Sequence, residues 1–188
     1  MNQEEVFLSV IKTLNQLNLP YIITGAYASS IHGEPRATHD IDLQIYLTPK
    51  DINDIYNAFQ ENFYVSKEGI EDALKYRTMF NLIHLESQIK IDFWIPKQSE
   101  YDQERLKRRQ EITISGIKTF VISPEDSILT KLDWHKKTEL EKHFADALGI
   151  MRIQGDRLDF DYITSWVEKL SIEELWAELR NTAGKNMG

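Results

Sequence analysis

The chain has no cysteine, so it can build neither a disulfide framework nor a thiolate metal site. It has no apolar run near the roughly 18 residues that cross a bilayer, which argues against a membrane-spanning helix. There is no G-x-x-x-x-G-K-[ST] loop and no G-x-S-x-G elbow, which removes P-loop chemistry and the common serine-nucleophile arrangement. Repeats and low-complexity stretches are also missing. Positive charge is in short supply: 22 Lys and Arg against 30 Asp and Glu leave a net charge of −8. That balance argues against non-specific nucleic-acid binding by the whole surface. The opening MNQEEVFLSV is acidic and amphipathic, unlike a signal peptide. These absences describe a cytoplasmic globular protein. Its 188 residues suffice for one core, or for a main domain with a small appendage.

What is there divides into two halves. Val6, Phe7, Val10, Ile11, Leu14 and Leu17 recur at helical spacing. PYIIT (20–24) reads as a short buried strand, and GAYASSIHG (25–33) as a turn and a short helix packed against it. From residue 40 the period becomes two. Ile41, Leu43, Ile45 and Leu47 take one face; Asp40, Asp42, Gln44 and Tyr46 take the other. Residues 52–59 predict a helix, and 66–78 stay ambiguous between a short helix and a loop. FNLIHLES and IKIDFWIP predict two strands joined by a tight turn; the second puts Lys90, Asp92 and Trp94 on one face. A charged helix over 99–109 and a hairpin turning at Ser115-Gly116 follow. At Ser123 the character changes. SPED is a helix start, and every later stripe is helical. The expected organisation is an α+β domain over 1–122 and a C-terminal helical region over 123–188.

Asp40 and Asp42 are the chemically pointed residues. Two residues apart on a strand, they stand side by side on the face opposite the apolar one. Asp92 repeats the pattern on a later strand. If the strands are neighbours, three carboxylates converge, and either cations or basic side chains must meet them. Hard divalent cations take oxygen ligands of this kind. Gly25, between a strand and a short helix, can offer backbone N–H groups to phosphate. Ser29 and Ser30 add hydroxyl donors, and Arg36 is placed to reach a phosphate. The competing reading is a solvated Asp-x-Asp on an edge strand.

The order TGAYASSIHGEPRATHDIDLQI (24–45), then KIDFWIP (90–96), resembles the nucleotidyltransferase superfamily of the DNA polymerase beta type. SPEDSILTKLDW (123–134) and residues 144–170 resemble the helical tail of bacterial stand-alone nucleotidyltransferases near the AbiEii-type toxins. The resemblance implies a mixed sheet flanked by helices and capped by C-terminal helices. It implies Mg²⁺ (or Mn²⁺) held by Asp40, Asp42 and Asp92, with Asp92 also helping to deprotonate the acceptor. It implies an NTP substrate held at Gly25 and the adjacent turn. Ala26 stands where the pattern has Gly or Ser; Ser29 or Ser30 can replace the missing hydroxyl. From the tail, Lys131 would meet the triphosphate and Asp146 would join it. An RNA acceptor such as a tRNA end, and an antitoxin protein partner, are the further implications. A small-molecule acceptor, and a nucleotide- or partner-binding module without turnover, are the alternatives.

Other features have plainer readings. RLKRR (105–109) is either a guide for RNA or a solvated helix face, and the acidic composition favours the latter. Thr38 is expected to tie the loop before the Asp40 strand, and His39 to pack. Trp134, Trp166 and Trp176 lie in helical stripes and are expected in the core. Trp94 shares a face with Asp92 and is a candidate for stacking on a base. Lys131 has the competing reading of a solvated lysine paired with Asp133 or Glu125.

Overall fold

The computed structural model of the protein describes residues 1–38 and 40–184. His39 lies outside the described residues. Helix α1 (Gln3–Gln16) starts at an Asn2 capping box closed by Glu5 and buries Val6, Phe7, Val10, Ile11 and Leu14. Strand β1 (Tyr21–Ile23) leads into α2 (Gly25–His32), and β2 (Ile41–Ile45) carries the first acidic pattern. Then come α3 (Ile52–Phe59), β3 (Phe63–Tyr64), α4 (Lys67–Tyr76), β4 (Met79–His84) and β5 (Lys90–Trp94). The ambiguous stretch is therefore a helix. Ser66 caps it by accepting from the Gly69 amide, and Ile70, Ala73 and Leu74 are buried. The link between β4 and β5 is longer than a tight turn and bends through Gln88 at φ 58°. Helix α5 (Glu100–Arg108), β6 (Gln110–Ile114) and β7 (Ile117–Val121) complete the α/β part. Ser115 and Gly116 both have positive φ, 47° and 79°, as a two-residue hairpin loop requires.

The seven strands form one mixed sheet in the order β3-β4-β5-β2-β1-β7-β6. Two neighbours are parallel, β2 with β5 and β1 with β7; the other pairs are antiparallel. The central strands bury Ile22, Ile23, Leu43, Ile45, Ile91 and Phe93 almost completely. Phe93 stacks on Phe80 with ring centroids 5.1 Å apart. One face of β2 and β5 is thus committed to the core, which leaves the acids on the other.

The helices that follow are α6 (Pro124–Thr138), α7 (Glu141–Gln154), α8 (Phe160–Leu170) and α9 (Glu173–Gly184). Ser123 caps α6 by accepting from the Asp126 amide at 3.1 Å, with Pro124 in the first turn. Contacts divide the chain into two compact units. One comprises Met1–Tyr27 and Thr38–Ile122; the other comprises Ala28–Ala37 and the described residues from Ser123 onward. Residues Ala28–Ala37, the rest of α2 and the loop after it, thus group with the later helices, although they precede β2 in sequence. No helix among the described residues is long and apolar enough to cross a membrane.

Candidate active site

Parallel pairing of β2 with β5 sets Asp42 directly opposite Asp92. In-register neighbours on adjacent strands stand about 4.8 Å apart and share a face. Asp92 is 9% exposed. Asp40 sits one residue before β2 and is exposed. Thr38 shapes its loop: the hydroxyl accepts from the Asp40 amide at 3.2 Å and donates to the Asp40 carbonyl at 3.3 Å.

Both strand acids are met by donors. Lys90 Nζ lies 2.8 Å from Asp92 Oδ2, and Trp94 Nε1–H donates to Asp42 Oδ1 at 3.1 Å. The hydrogen bond to Asp92 holds the Lys90 ammonium above the ordinary lysine pKa, against partial desolvation. The charges of Asp92, Asp40 and Asp42 add to that rise, so the ammonium feels all three acids. Trp94 is an orienter of Asp42 here, a role its parity with Asp92 did not disclose.

Gly25 opens α2 beside Asp42. Its φ is +65°, and a Cβ there would lie 2.8 Å from both Cβ and Cγ of Asp42. Only glycine fits on both counts. The chain just before it is fastened to the same residue, since the Thr24 amide donates to the Asp42 carbonyl at 2.9 Å. The N-terminal end of α2 therefore abuts the Asp42 carboxylate, a placement the helix dipole favours.

This arrangement fits a divalent cation in donor chemistry. The donors are carboxylate oxygens, a cationic side chain is already drawn among them, and buried Asp92 Oδ1 has no hydrogen-bond partner. Among the described residues, no three Asp, Glu or His side chains converge as a ready-made metal group. Asp42 and Asp92 are the registered pair, and Asp40 stands on the loop beside them.

The helical unit holds a second charged cluster. Lys131 on α6 and Asp146 on α7 pair at 2.6 Å, and both side chains are nearly buried, 7% and 6% exposed. Arg36 grips the same carboxylate through Nε at 2.8 Å and Nη2 at 3.1 Å. Burial raises the Asp146 pKa, but the hydrogen bonds and charges of Arg36 and Lys131 outweigh it and hold the carboxyl below its ordinary value. The alternative partners foreseen for Lys131 are engaged elsewhere: Asp133 pairs with Lys137, and Glu125 accepts from the Asp159 amide at 3.1 Å. Ser30 bonds the Arg36 backbone at 3.3 Å and so shapes the loop that presents Arg36; Ser29 is buried. Of the residues singled out in the sequence, Gly25, Ala26, Thr38, Asp40, Asp42 and Asp92 lie in the sheet unit. Ser29, Ser30, Arg36, Lys131 and Asp146 lie in the helical unit.

Two expectations change. The RLKRR run is not simply a solvated face: Arg105 is part-buried in an ion pair with Asp102, and Arg109 lies over the Phe120 ring at 4.4 Å. Trp134 is not a core residue but is 39% exposed, whereas Trp166 and Trp176 are buried.

The chain belongs to a family of nucleotidyl transferases, described as nucleotidyl transferase of unknown function (DUF2204), whose profile spans residues 3–174. No curated protein matches the sequence. Solved structures share the fold at low identity. An antigenic nucleotidyltransferase-like protein from Paracoccidioides brasiliensis is 17% identical, with TM-score 0.59, covering 93% of this chain and 91% of that one. The antibiotic-resistance factor ANT(2″)-Ia, solved in complex with adenylyl-2″-tobramycin, is 16% identical, with TM-score 0.59 and coverages of 97% and 99%. The lincosamide antibiotic adenylyltransferase LnuA, bound to lincomycin, is 14% identical, with TM-score 0.53 and coverages of 81% and 98%.

Proposed function

We propose that this nucleotidyl transferase moves a nucleoside monophosphate from an NTP to an acceptor hydroxyl at the Asp42–Asp92 face of the sheet. The observation that carries this is the register: two carboxylates opposite each other on parallel central strands, with a glycine helix start against one of them. Asp40, Asp42 and Asp92 would hold Mg²⁺ or Mn²⁺, which would neutralise triphosphate charge and promote departure of pyrophosphate. Gly25 and Ala26 would present backbone N–H groups to the phosphates. Trp94 fixes the Asp42 carboxylate, and Asp92 would take the acceptor proton. Ser29, Ser30, Arg36 and Lys131 belong to the helical unit, where Arg36 and Lys131 are both held by Asp146. The reaction is proposed to take place in the cytoplasm.

The acceptor we favour is a small hydroxylated molecule. The structural neighbours ANT(2″)-Ia and LnuA are described with tobramycin and lincomycin, and the one concentrated basic run is partly folded into the protein. The tail resemblance to AbiEii-type toxins supports the second reading, an RNA acceptor with an antitoxin partner. Incubation with Mg²⁺, each α-³²P NTP in turn, and either total RNA or a panel of aminoglycosides and lincosamides separates the two. Label should pass to an acceptor with wild type and not with Asp42→Asn, whose melting temperature should stay within a few degrees. Equal transfer by Asp42→Asn would sink the assignment.

A further inference from the structure

The sheet orders its side chains in a line, and that order gives the reaction a direction. The pairing runs β1, β2, β5, β4. Gly25 follows β1, Asp42 is on β2, and Asp92 on β5 is registered both with Asp42 and, on its other side, with Asn81 of β4. In-register residues share a face, so Asn81 stands in the same row as the two acids. The glycine helix start, the natural place for phosphate, is at one end of this row and Asn81 at the other.

The β4 strip around Asn81 suits an incoming molecule. Met79, Asn81 and Ile83 alternate with buried Phe80, Leu82 and His84 and are themselves half-exposed. The strip carries no charge, and its one polar side chain is an amide. An amide N–H can donate to a hydroxyl oxygen while the hydroxyl proton turns toward a neighbouring carboxylate. Asn81 beside Asp92 supplies that combination. Asn81 does not satisfy the neighbouring carboxylate itself, because Asp92 Oδ1 has no hydrogen-bond partner.

On the strength of the transferase reading above, we propose that Asn81 is the acceptor-positioning residue. Its amide holds the attacking hydroxyl of an uncharged, hydroxyl-bearing group over Asp92, on the side of the acids opposite the nucleotide phosphates. In the step, the hydroxyl oxygen bonds to the α-phosphorus, and the α-phosphorus bond to its bridging oxygen breaks. Pyrophosphate leaves with that electron pair, and the hydroxyl proton passes to the Asp92 carboxylate.

The test uses the full chain as Asn81→Ala and as the near-isosteric Asn81→Leu, which lacks the donor and adds no charge beside Asp92. The acceptor probes are tobramycin, lincomycin, total RNA and water, the last read as release of free nucleoside monophosphate. Nucleotide affinity is measured separately by calorimetry with a non-hydrolysable NTP and Mn²⁺. Both variants should lose 10- to 100-fold in kcat/KM for whichever acceptor wild type uses. Their melting temperature should be unchanged and their NTP affinity should stay within twofold. Wild-type kinetics in both variants would overturn the role of Asn81 and leave the transferase reading standing. So would a loss that falls wholly on NTP affinity. If wild type transfers from no NTP to any probe, water included, the transferase reading fails and this role fails with it.

Discussion

Lys90 is the residue whose removal most directly interrogates the acidic face. Its ammonium lies 2.8 Å from Asp92 Oδ2 and is 46% exposed, so the pair resembles a surface ion pair more than a buried one. Such pairs contribute about 0.2–1 kcal/mol after solvent screening. A divalent ion bound at the same carboxylates must displace that interaction, and it also meets a like charge nearby. At about 5 Å in water that repulsion amounts to about 1.7 kcal/mol, less whatever the flexible side chain avoids by swinging away. The sum lies between about 0.2 and 2.7 kcal/mol, so Lys90→Met should tighten Mn²⁺ binding by up to roughly 100-fold, centred near tenfold. Free Mn²⁺ counted by electron paramagnetic resonance during titration of both proteins gives the two dissociation constants. Unchanged or weaker binding by a folded Lys90→Met protein would refute the idea that this ammonium occupies a cation's place. Mn²⁺ binding that survives Asp42→Asn and Asp92→Asn together would refute the site itself.

Gly25→Ala places a non-glycine residue at φ +65° and drives its Cβ into the Asp42 side chain. We expect a loss of about 2–4 kcal/mol, a melting temperature lower by about 5–15 °C, and activity lost beyond what stability explains. Trp94→Phe removes the donor to Asp42 Oδ1 and should lower kcat about tenfold with little change in melting temperature; an unchanged kcat would show that Asp42 needs no orienter. Asp146→Asn leaves Lys131 buried without its counter-charge and should cost about 3–5 kcal/mol in a urea titration at pH 7. The Asp146 carboxyl is held low in the folded state, so its contribution is present above the unfolded value near pH 4 and fades as pH falls through the lower folded value. Wild type should therefore lose stability on acidification below about pH 4, and Asp146→Asn should lose less over that window; parallel curves would contradict this assignment.

The line between what the sequence settles and what it leaves open follows the range of the interactions. Period-two alternation around Asp42 and Asp92, the SPED helix start and the Ser115-Gly116 loop depend on neighbours within a few residues, and each was legible in the chain itself. So was the strand–glycine–acid order that pointed to the family. The stretch 66–78 resolved as a helix only through its burial of Ile70 and Leu74, which local pattern left open. What needed the tertiary structure was partnership. That Asp42 faces Asp92 depends on β2 and β5 pairing in parallel across about fifty residues of chain. The sequence put Lys90 beside Asp92 and Trp94 on the same face; only the pairing of β2 with β5 showed that Trp94 meets Asp42. Lys131 found Asp146, which Arg36 also grips, instead of Asp133 or Glu125 because helix packing, not helical spacing, chose its partner. Asn81, an unremarkable residue on a half-buried strand, acquires its place beside the acids from the antiparallel pairing of β4 with β5. A chain specifies faces and turns by short-range sterics and hydrophobic period, but it specifies which charges meet only by folding, because strand register and helix packing are settled by the whole core at once.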